Sequence, residues 1–220
     1  LPQYEVSHPG NKHPWMYKQG LTDEAIEHFQ ITYDKDKEGI IFPHEVKKKI
    51  VGWQTRDLTG EKRAKYLNTL DFPKSSTLYH GDCECHNDSD YIIVVESPKT
   101  AAIMWGVGYN NVVATFGASI NEEQMRLLWK YPNIFLWFDN DEAGQKAVKA
   151  CAAVGFPLGK VKVMVPRKHK DASDYLRAKE SELFVKEWWQ APTYKPDGLR
   201  LGTDLWGEIE NRKESFTCQY

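Results

Sequence analysis

Three acidic side chains stand directly after apolar, strand-sized runs. Glu96 follows residues 91–95, and Asp139 and Asp141 follow residues 134–138 as an Asp-Asn-Asp string. If the two runs are neighbouring strands of one sheet, the three carboxylates meet at a single sheet edge. Like charges gathered this way raise one another's pKa unless a cation compensates them. Hard carboxylate oxygens with no thiolate or imidazole among them suit Mg²⁺ or Mn²⁺. Two such ions about 3.5–4 Å apart are suited to in-line attack at phosphorus. The competing role for a strand-end Asp is to cap the next helix, and Asp141-Glu142-Ala143-Gly144 reads as a helix start. An acid after one strand together with an Asp-x-Asp after another is harder to assign to capping alone.

The elements that must hold these acids are legible as an alternation. Apolar runs at 91–95, 112–116, 134–138 and 161–165 are separated by helical patterns. In the clearest helix Asn121 is the cap, Glu122 and Glu123 fill the first turn, Met125, Leu128 and Trp129 fall on one face, and Pro132 follows the end. Wholly apolar strands alternating with helices predict an α/β unit, a parallel sheet covered by helices on both faces, whose ligands bind at the carboxyl ends of the strands. Ahead of it, Thr22 caps a helix carrying Ala25, Ile26 and Phe29. Two β-like segments (39–42 and 50–54) follow, and then loop-like basic sequence to Lys74, a small mixed α/β module. Beyond residue 181, Phe184, Val185, Trp188 and Trp189 predict a helix, 191–202 a linker and 203–212 a second short helix. The expected division is 1–88, 89–180 and 181–220.

Charge is uneven along the chain. The whole has 29 basic and 31 acidic residues, a formal net charge of −2, so no global positive field draws it to nucleic acid. Yet Lys47, Lys48, Lys49, Arg56, Lys62, Arg63, Lys65 and Lys74 outnumber Asp57, Glu61 and Asp71 in one stretch. Between Asp82 and Glu96 there are acids and no Lys or Arg. A basic block followed by an acidic one predicts two units with different ligands, joined near 81–89. With 41% hydrophobic residues and no apolar run near the ~18–20 residues of a membrane span, a folded, non-membrane protein is expected. Four cysteines are too few for a disulfide framework in 220 residues and no signal peptide is visible, which predicts a reducing cytoplasm. A chain opening at Leu1 without Met reads as a piece of something longer.

Glu96, the turn Phe116-Gly117-Ala118-Ser119 and the string Asp139-Asn140-Asp141-Glu142-Ala143-Gly144 together resemble the TOPRIM domain of bacterial-type primases, topoisomerases and some nucleases. Lys170-Asp171-Ala172-Ser173-Asp174-Tyr175-Leu176 looks like the acidic segment that primases carry after the fourth strand. Gly52-Trp53-Gln54-Thr55-Arg56-Asp57 and Ala64-Lys65-Tyr66-Leu67-Asn68 are similar to the basic subdomain of DnaG-type primases, and Tyr17–Thr22 to its opening. The resemblance implies a catalytic core that makes short RNA primers on single-stranded DNA, in a bacterial cell or phage-infected host. Glu96, Asp139 and Asp141, with Asp171 and Asp174 as lesser candidates, would hold two or more Mg²⁺ or Mn²⁺ ions, and no organic cofactor is implied. Arg56, Lys65, Tyr66, Asn68 and Lys74 would bind template or ribonucleoside triphosphates, with Lys65 also acting in catalysis. Lys and Arg can neutralise phosphate, and Tyr66 and Trp53 can stack on unpaired bases. Lys47-Lys48-Lys49 reads only as a solvated basic face. A replicative helicase in cis or trans is the implied partner, and Pro196-Asp197-Gly198 resembles the primase–helicase joint of phage proteins.

The pattern departs from the family in three places. Gln19 stands where an Arg is usual. Glu96-Ser97-Pro98 is the form found in type IA topoisomerases. No four-ligand zinc module precedes the core, and Cys83, Cys85 and His86 are too closely spaced to make a tetrahedral site unaided, so free thiols are expected. The rival functions are a TOPRIM-type nuclease, which would not need the basic Lys-Tyr-Leu-Asn module, and a catalytically silent nucleic-acid-binding module of a helicase, whose acids would be depleted.

Overall fold

The computed structural model describes residues 11–62, 64–142, 144, 146, 150, 160–164 and 167–192. Arg63, Cys151, Val165, Cys218, the Pro196-Asp197-Gly198 joint and the helix expected at 203–212 lie outside the described residues.

Two four-stranded sheets make up the frame. The first is antiparallel, in the order β1 (Thr32–Asp34), β2 (Gly39–Val46), β3 (Lys49–Asp57) and β4 (Tyr66–Asn68). It is preceded by α1 (Pro14–Lys18) and α2 (Asp23–His28). Thr22 caps α2, its Oγ1 accepting from the Ala25 amide at 3.2 Å. The basic stretch read as loop contains β4, whose three residues pair with Gln54, Thr55 and Arg56. So short a strand, with two of its residues exposed, carries too little hydrophobic alternation to stand out in sequence.

Lys47 and Lys48 are not a mere basic face. They are the two turn residues between β2 and β3, and both have positive φ, 50° and 61°. A two-residue hairpin of this type favours Asn-Gly, and a left-handed conformation costs an ordinary L-residue about 1–2 kcal/mol. The double substitution Lys47→Asn/Lys48→Gly is therefore expected to stabilise the chain by about 1 kcal/mol and raise the thermal midpoint by ~2–4 °C. Differential scanning fluorimetry reads the result, and an unchanged or lower midpoint would contradict it.

The second sheet is parallel, in the order β6 (Val112–Ala114), β5 (Tyr91–Val95), β7 (Asn133–Leu136) and β8 (Val161–Val163). Alternate residues of β5 face opposite ways. Ile93 and Val95 join the cluster that holds α3 (Pro98–Gly106), and Ile92 and Val94 join the one that holds α4 (Glu122–Leu128). Both faces are thus covered, as a parallel sheet requires. The α4 cap is a full capping box between Asn121 and Gln124. Trp129 does not share the buried face of Met125 and Leu128. It is the C-cap residue and is 42% exposed, because the helix ends before its turn would carry it inward.

The larger apolar cluster runs through both sheets, uniting Met16, Ile26, Phe29, Ile40 and Phe42 with Ile93, Val95, Ile103, Ala114 and Phe116. Gln124 adds a polar tie, its Nε2 donating to the carbonyls of Lys74 (2.8 Å) and Thr77 (3.0 Å) in the connecting segment. Past β8 come α5 (Ala172–Arg177) and α6 (Ser181–Trp189). Phe184 of α6 stacks on Trp137 at 4.4 Å, fixing the chain two residues before Asp139. Among the described residues no helix is long and apolar enough to cross a membrane.

Candidate metal centre and the facing basic strand

Strand order decides where the acids go. β5 and β7 are hydrogen-bonded neighbours, with Val94 opposite Leu136 and the Trp137 amide donating to the Val94 carbonyl at 2.8 Å. Their carboxyl ends therefore emerge side by side. Glu96 Oε1 accepts from the Asp139 backbone amide at 2.9 Å, and Asp141 Oδ1 accepts from the Gly144 amide at 3.1 Å. The trio converges at one sheet edge.

Sequence inspection assigned no cation to these acids, and the fold brings one. Lys170 Nζ lies 2.9 Å from Asp139 Oδ2 and 3.0 Å from Asp141 Oδ2. It is positioned through its backbone, the Asn140 amide donating to the Lys170 carbonyl at 2.9 Å. The preceding residues are pinned by Tyr175, whose hydroxyl accepts from the amides of Arg167 (3.1 Å) and Lys168 (3.2 Å). Its carboxylate partners hold the Lys170 ammonium above its ordinary pKa. The only sequence signal was its place immediately before the acidic segment.

Burial, and then the neighbouring Asp139 and Asp141 charges, push Glu96 up to about 7. Asp139 is also raised, chiefly by burial, against the pull of Lys170. Three hard carboxylates, two of them reluctant to ionise and two bridged by a single ammonium, form an anionic cluster short of positive charge. That donor set fits a divalent cation held through oxygen. A cation must displace the Glu96 proton, so Mg²⁺ affinity is expected to fall about fivefold from pH 7 to 6 and to level off above about 8. Calorimetric titration in buffers of different ionisation enthalpy measures both affinity and proton release; affinity unchanged from pH 6 to 8 would contradict the assignment. The metal-free fold has the opposite dependence. Between about 4.5 and 7 the native Glu96 binds more proton than the unfolded chain, so stability falls as pH rises through that window.

Asp171 and Asp174 are placed differently. Asp171 Oδ1 caps α5, accepting from the Asp174 amide at 3.0 Å and the Ser173 hydroxyl at 2.6 Å. Its charge still reaches Asp139 and helps raise it. The Asp174 carboxylate pairs with Arg177. Arg177 also donates to Gln19 Oε1 at 3.4 Å, so a guanidinium does lie beside the position where the family pattern has Arg.

From the module with the basic stretch, Tyr66 on β4 lies within electrostatic reach of the acids. Burial raises its phenol, opposed by Arg56 and assisted by the charges of Asp171 and Asp139. The Arg56 guanidinium lies over the Tyr66 ring at 5.2 Å and over Trp15 at 5.9 Å, and its Nε is buried without a hydrogen-bond partner among the described residues. Lys65 is exposed just before β4, and the Asn68 side chain accepts from Gln54 Nε2 at 2.9 Å. Lys74 approaches Gly117, whose amide donates to the Glu96 carbonyl at 2.8 Å. With φ at +148°, Gly117 adopts a conformation that side-chain-bearing residues rarely take, and a Cβ there would stand 3.2 Å from Lys74 Nζ.

Two further residues were given no role of their own in sequence. Lys99, in the first turn of α3, is half-buried, and its desolvation lowers its pKa against the raising effect of Asp171, Asp174 and Asp139. Gly144 packs so close to Asp139 that a Cβ would stand 2.0 Å from the Asp139 carbonyl oxygen and 3.2 Å from Glu96 Oε1. Cys83 and Cys85 are not free thiols but are joined to each other, with His80 and His86 beside them.

The family model described as Toprim-like matches residues 93–176. A DNA primase of Clostridium acetobutylicum is 30% identical over 189 residues, which cover 78% of this chain and 31% of that protein. A DnaG primase catalytic domain solved with single-stranded DNA superposes with a TM-score of 0.70 at 22% identity, over 81% of this chain and 71% of its own. The primase fragment of the bacteriophage T7 primase-helicase gives 0.65 at 24% identity, over 79% and 72%. The chain spans about a third of the length of the curated relative.

Proposed function

The chain carries the TOPRIM domain and the fold of DnaG-type DNA primase cores, and from that premise we propose that it is the RNA-primer-synthesising core of such a primase, a nucleotidyltransferase acting on a single-stranded DNA template. One observation carries the reading: Glu96, Asp139 and Asp141 converge at one sheet edge, with Lys170 supplying less positive charge than they present.

In this reading residues 89–180 form the catalytic unit and residues up to 88 the template- and nucleotide-binding one. Glu96, Asp139 and Asp141 hold two Mg²⁺ or Mn²⁺ ions, with Asp171 contributing charge from the α5 cap and Asp174 further out. The ions, when bound, lower the pKa of the primer 3′-hydroxyl and offset charge building on the α-phosphate and the departing pyrophosphate. Lys170 is the residue that must yield, since its ammonium and a divalent cation compete for the same two carboxylates. Lys65 and Lys74 neutralise nucleotide or template phosphates, while Arg56, braced by Trp15 and Tyr66, presents a guanidinium held in one orientation. Tyr66 offers a ring to an unpaired base, and Asn68, anchored to Gln54, keeps β4 in register. Positioning and electrostatics supply the catalysis, with no covalent step on the protein.

The T7 relative is part of a primase-helicase, which supports a helicase partner for this chain as well. The direct test is incubation with single-stranded DNA, labelled ribonucleotides and Mg²⁺ or Mn²⁺. Short, metal-dependent RNA products are expected. Shortened DNA without new RNA would point to a nuclease, and binding without either product to a silent module.

A further inference from the structure

The segment joining the two sheets carries a second cluster, of different chemistry from the first. His80, Cys83, Cys85 and His86 bring one nitrogen or sulfur each to within 4.8 Å of one another. Sequence spacing alone concealed this. Cys83, Cys85 and His86 are too close along the chain to surround an ion, and the fourth member comes from upstream, aimed inward by a backbone turn at His80 with φ 62°. The one-turn 3₁₀ helix Glu84–His86 then brings Cys83 and His86, three apart, onto one side.

The two imidazoles are set up in the same way. His80 Nδ1 lies 3.1 Å from the Val112 carbonyl, and His86 Nε2 lies 3.1 Å from the Asn110 carbonyl. A carbonyl only accepts, so each of these nitrogens carries the proton, and the lone pair sits on the opposite nitrogen. In His80 that atom, Nε2, is 3.8 Å from Cys85 Sγ. In His86 it is Nδ1, which is buried with no hydrogen-bond partner among the described residues. A buried acceptor left without a donor is costly, and this one points to something absent from the protein's own atoms. Imidazoles that ligate a metal commonly donate their second N–H to a backbone carbonyl, which fixes both tautomer and ring orientation. Both rings are also kept neutral, as ligands must be: burial and the neighbouring ring bring His80 down to about 4, and burial lowers His86.

We propose that His80, Cys83, Cys85 and His86 form a Cys₂His₂ site for Zn²⁺, separate from the carboxylate centre and occupied when the Cys83–Cys85 pair is reduced. Two thiolates and two imidazoles select a borderline-soft ion and reject Mg²⁺. Zn–S bonds of about 2.3 Å and Zn–N bonds of about 2.0–2.1 Å, arranged tetrahedrally, put ligand atoms roughly 3.3–3.8 Å apart, so the two sulfurs, bonded to each other here, part on reduction while the four ligand atoms stay within the 4.8 Å they already span. Four protein ligands leave no open position, which makes the site structural rather than catalytic. Its location agrees. The two carbonyls that orient the rings belong to β6 and the residue two before it, toward the amino end of that edge strand, whereas the carboxylates lie at the carboxyl ends of β5 and β7. The ion would clip the connector to the sheet edge just after the Tyr79–Ala114 bridge, fixing the basic module against the catalytic one. An open cleft lined by His28, Lys47, Tyr79, His80 and Cys83 gives an entry path.

The test is the metal content of the whole chain, purified under reducing conditions with excess Mg²⁺ and measured by plasma mass spectrometry. About one Zn²⁺ per chain is expected, with X-ray absorption fitting two sulfurs and two nitrogens at the distances above. Cys83→Ser/Cys85→Ser should lose at least about tenfold in zinc occupancy, whereas Asp139→Ala should retain it. Should the double variant fail to fold, the wild-type absorption spectrum still decides the matter. A reduced chain with free thiols that takes up no zinc overturns the proposal. So does zinc coordinated by oxygen alone, or zinc retained in full by a folded Cys83→Ser/Cys85→Ser variant.

Discussion

Asp139→Ala is expected to lower metal-dependent primer synthesis by on the order of 10³-fold or more, while leaving the fold at least as stable as before when no divalent cation is present. The first part follows from the convergence of Glu96, Asp139 and Asp141. Removing the middle carboxylate takes away a ligand, while the backbone amide of residue 139 from which Glu96 accepts stays in place. Loss of a single preorganised electrostatic group of this kind typically costs 10²–10³ in rate, and a group shared between two ions costs more. The second part follows from burial. The Asp139 carboxyl is held above its ordinary pKa, so its ionised form is disfavoured in the native state and its removal relieves repulsion on Glu96. Lys170 loses one partner but keeps Asp141. Thermal unfolding with and without Mg²⁺ separates chemistry from folding. The wild-type midpoint should rise on adding Mg²⁺, because the ion binds only the native state, and the variant's should stay flat. A variant that still synthesises primers at near wild-type rate would remove the basis of the proposed function. A variant that unfolds would show the carboxylate to be structural.

Much of this was readable from the chain, for an identifiable reason. Parallel strands buried on both faces are continuous apolar runs, so β5 and β7 declared themselves, and the rule that ligands gather at their carboxyl ends pointed to the residues that follow. The caps at Thr22 and Asn121 were equally local, each needing only residues within one turn. What escaped depended on contacts between distant segments. Lys170 meets Asp139 and Asp141 from the segment after β8, the strand beside β7 but some thirty residues on, and nothing near either acid announced it. β4 is too short to show a period. Its importance comes from Tyr66 lying within electrostatic reach of Asp139 and Asp171, which no sequence pattern encodes. The cysteine cluster was read only in part for the same reason: the thiols expected to be free are joined to each other, and a fourth donor, His80, is brought in by a turn that the spacing of the other three does not show. Asp171 fell between the alternatives, since it both caps a helix and leans its charge on Asp139.

Gly144 offers a test in which two local rules predict opposite signs. Its backbone is helical, and in a helix interior Gly→Ala ordinarily stabilises by about 0.5–1 kcal/mol through reduced chain entropy. Here the added Cβ would fall 2.0 Å from the Asp139 carbonyl oxygen and 3.0 Å from its carbon, contacts with backbone that no rotamer change can relieve. Either the helix start or the Asp139 peptide must move, by more than 1 Å if ordinary contact distance is to be restored. Gly144→Ala is therefore expected to destabilise by about 1–3 kcal/mol, the usual range for overpacking. The displacement falls on the residue whose amide holds Glu96 and whose carboxylate meets Lys170. A misplacement of about 1 Å in such an arrangement costs on the order of 10²-fold in rate. The two losses should appear together in Gly144→Ala, whereas Asp139→Ala loses rate and keeps stability. If Gly144→Ala instead raised the thermal midpoint and left synthesis intact, the helix would be standing clear of the acids, and the tight packing that sets the spacing of Glu96, Asp139 and Asp141 would not exist in solution.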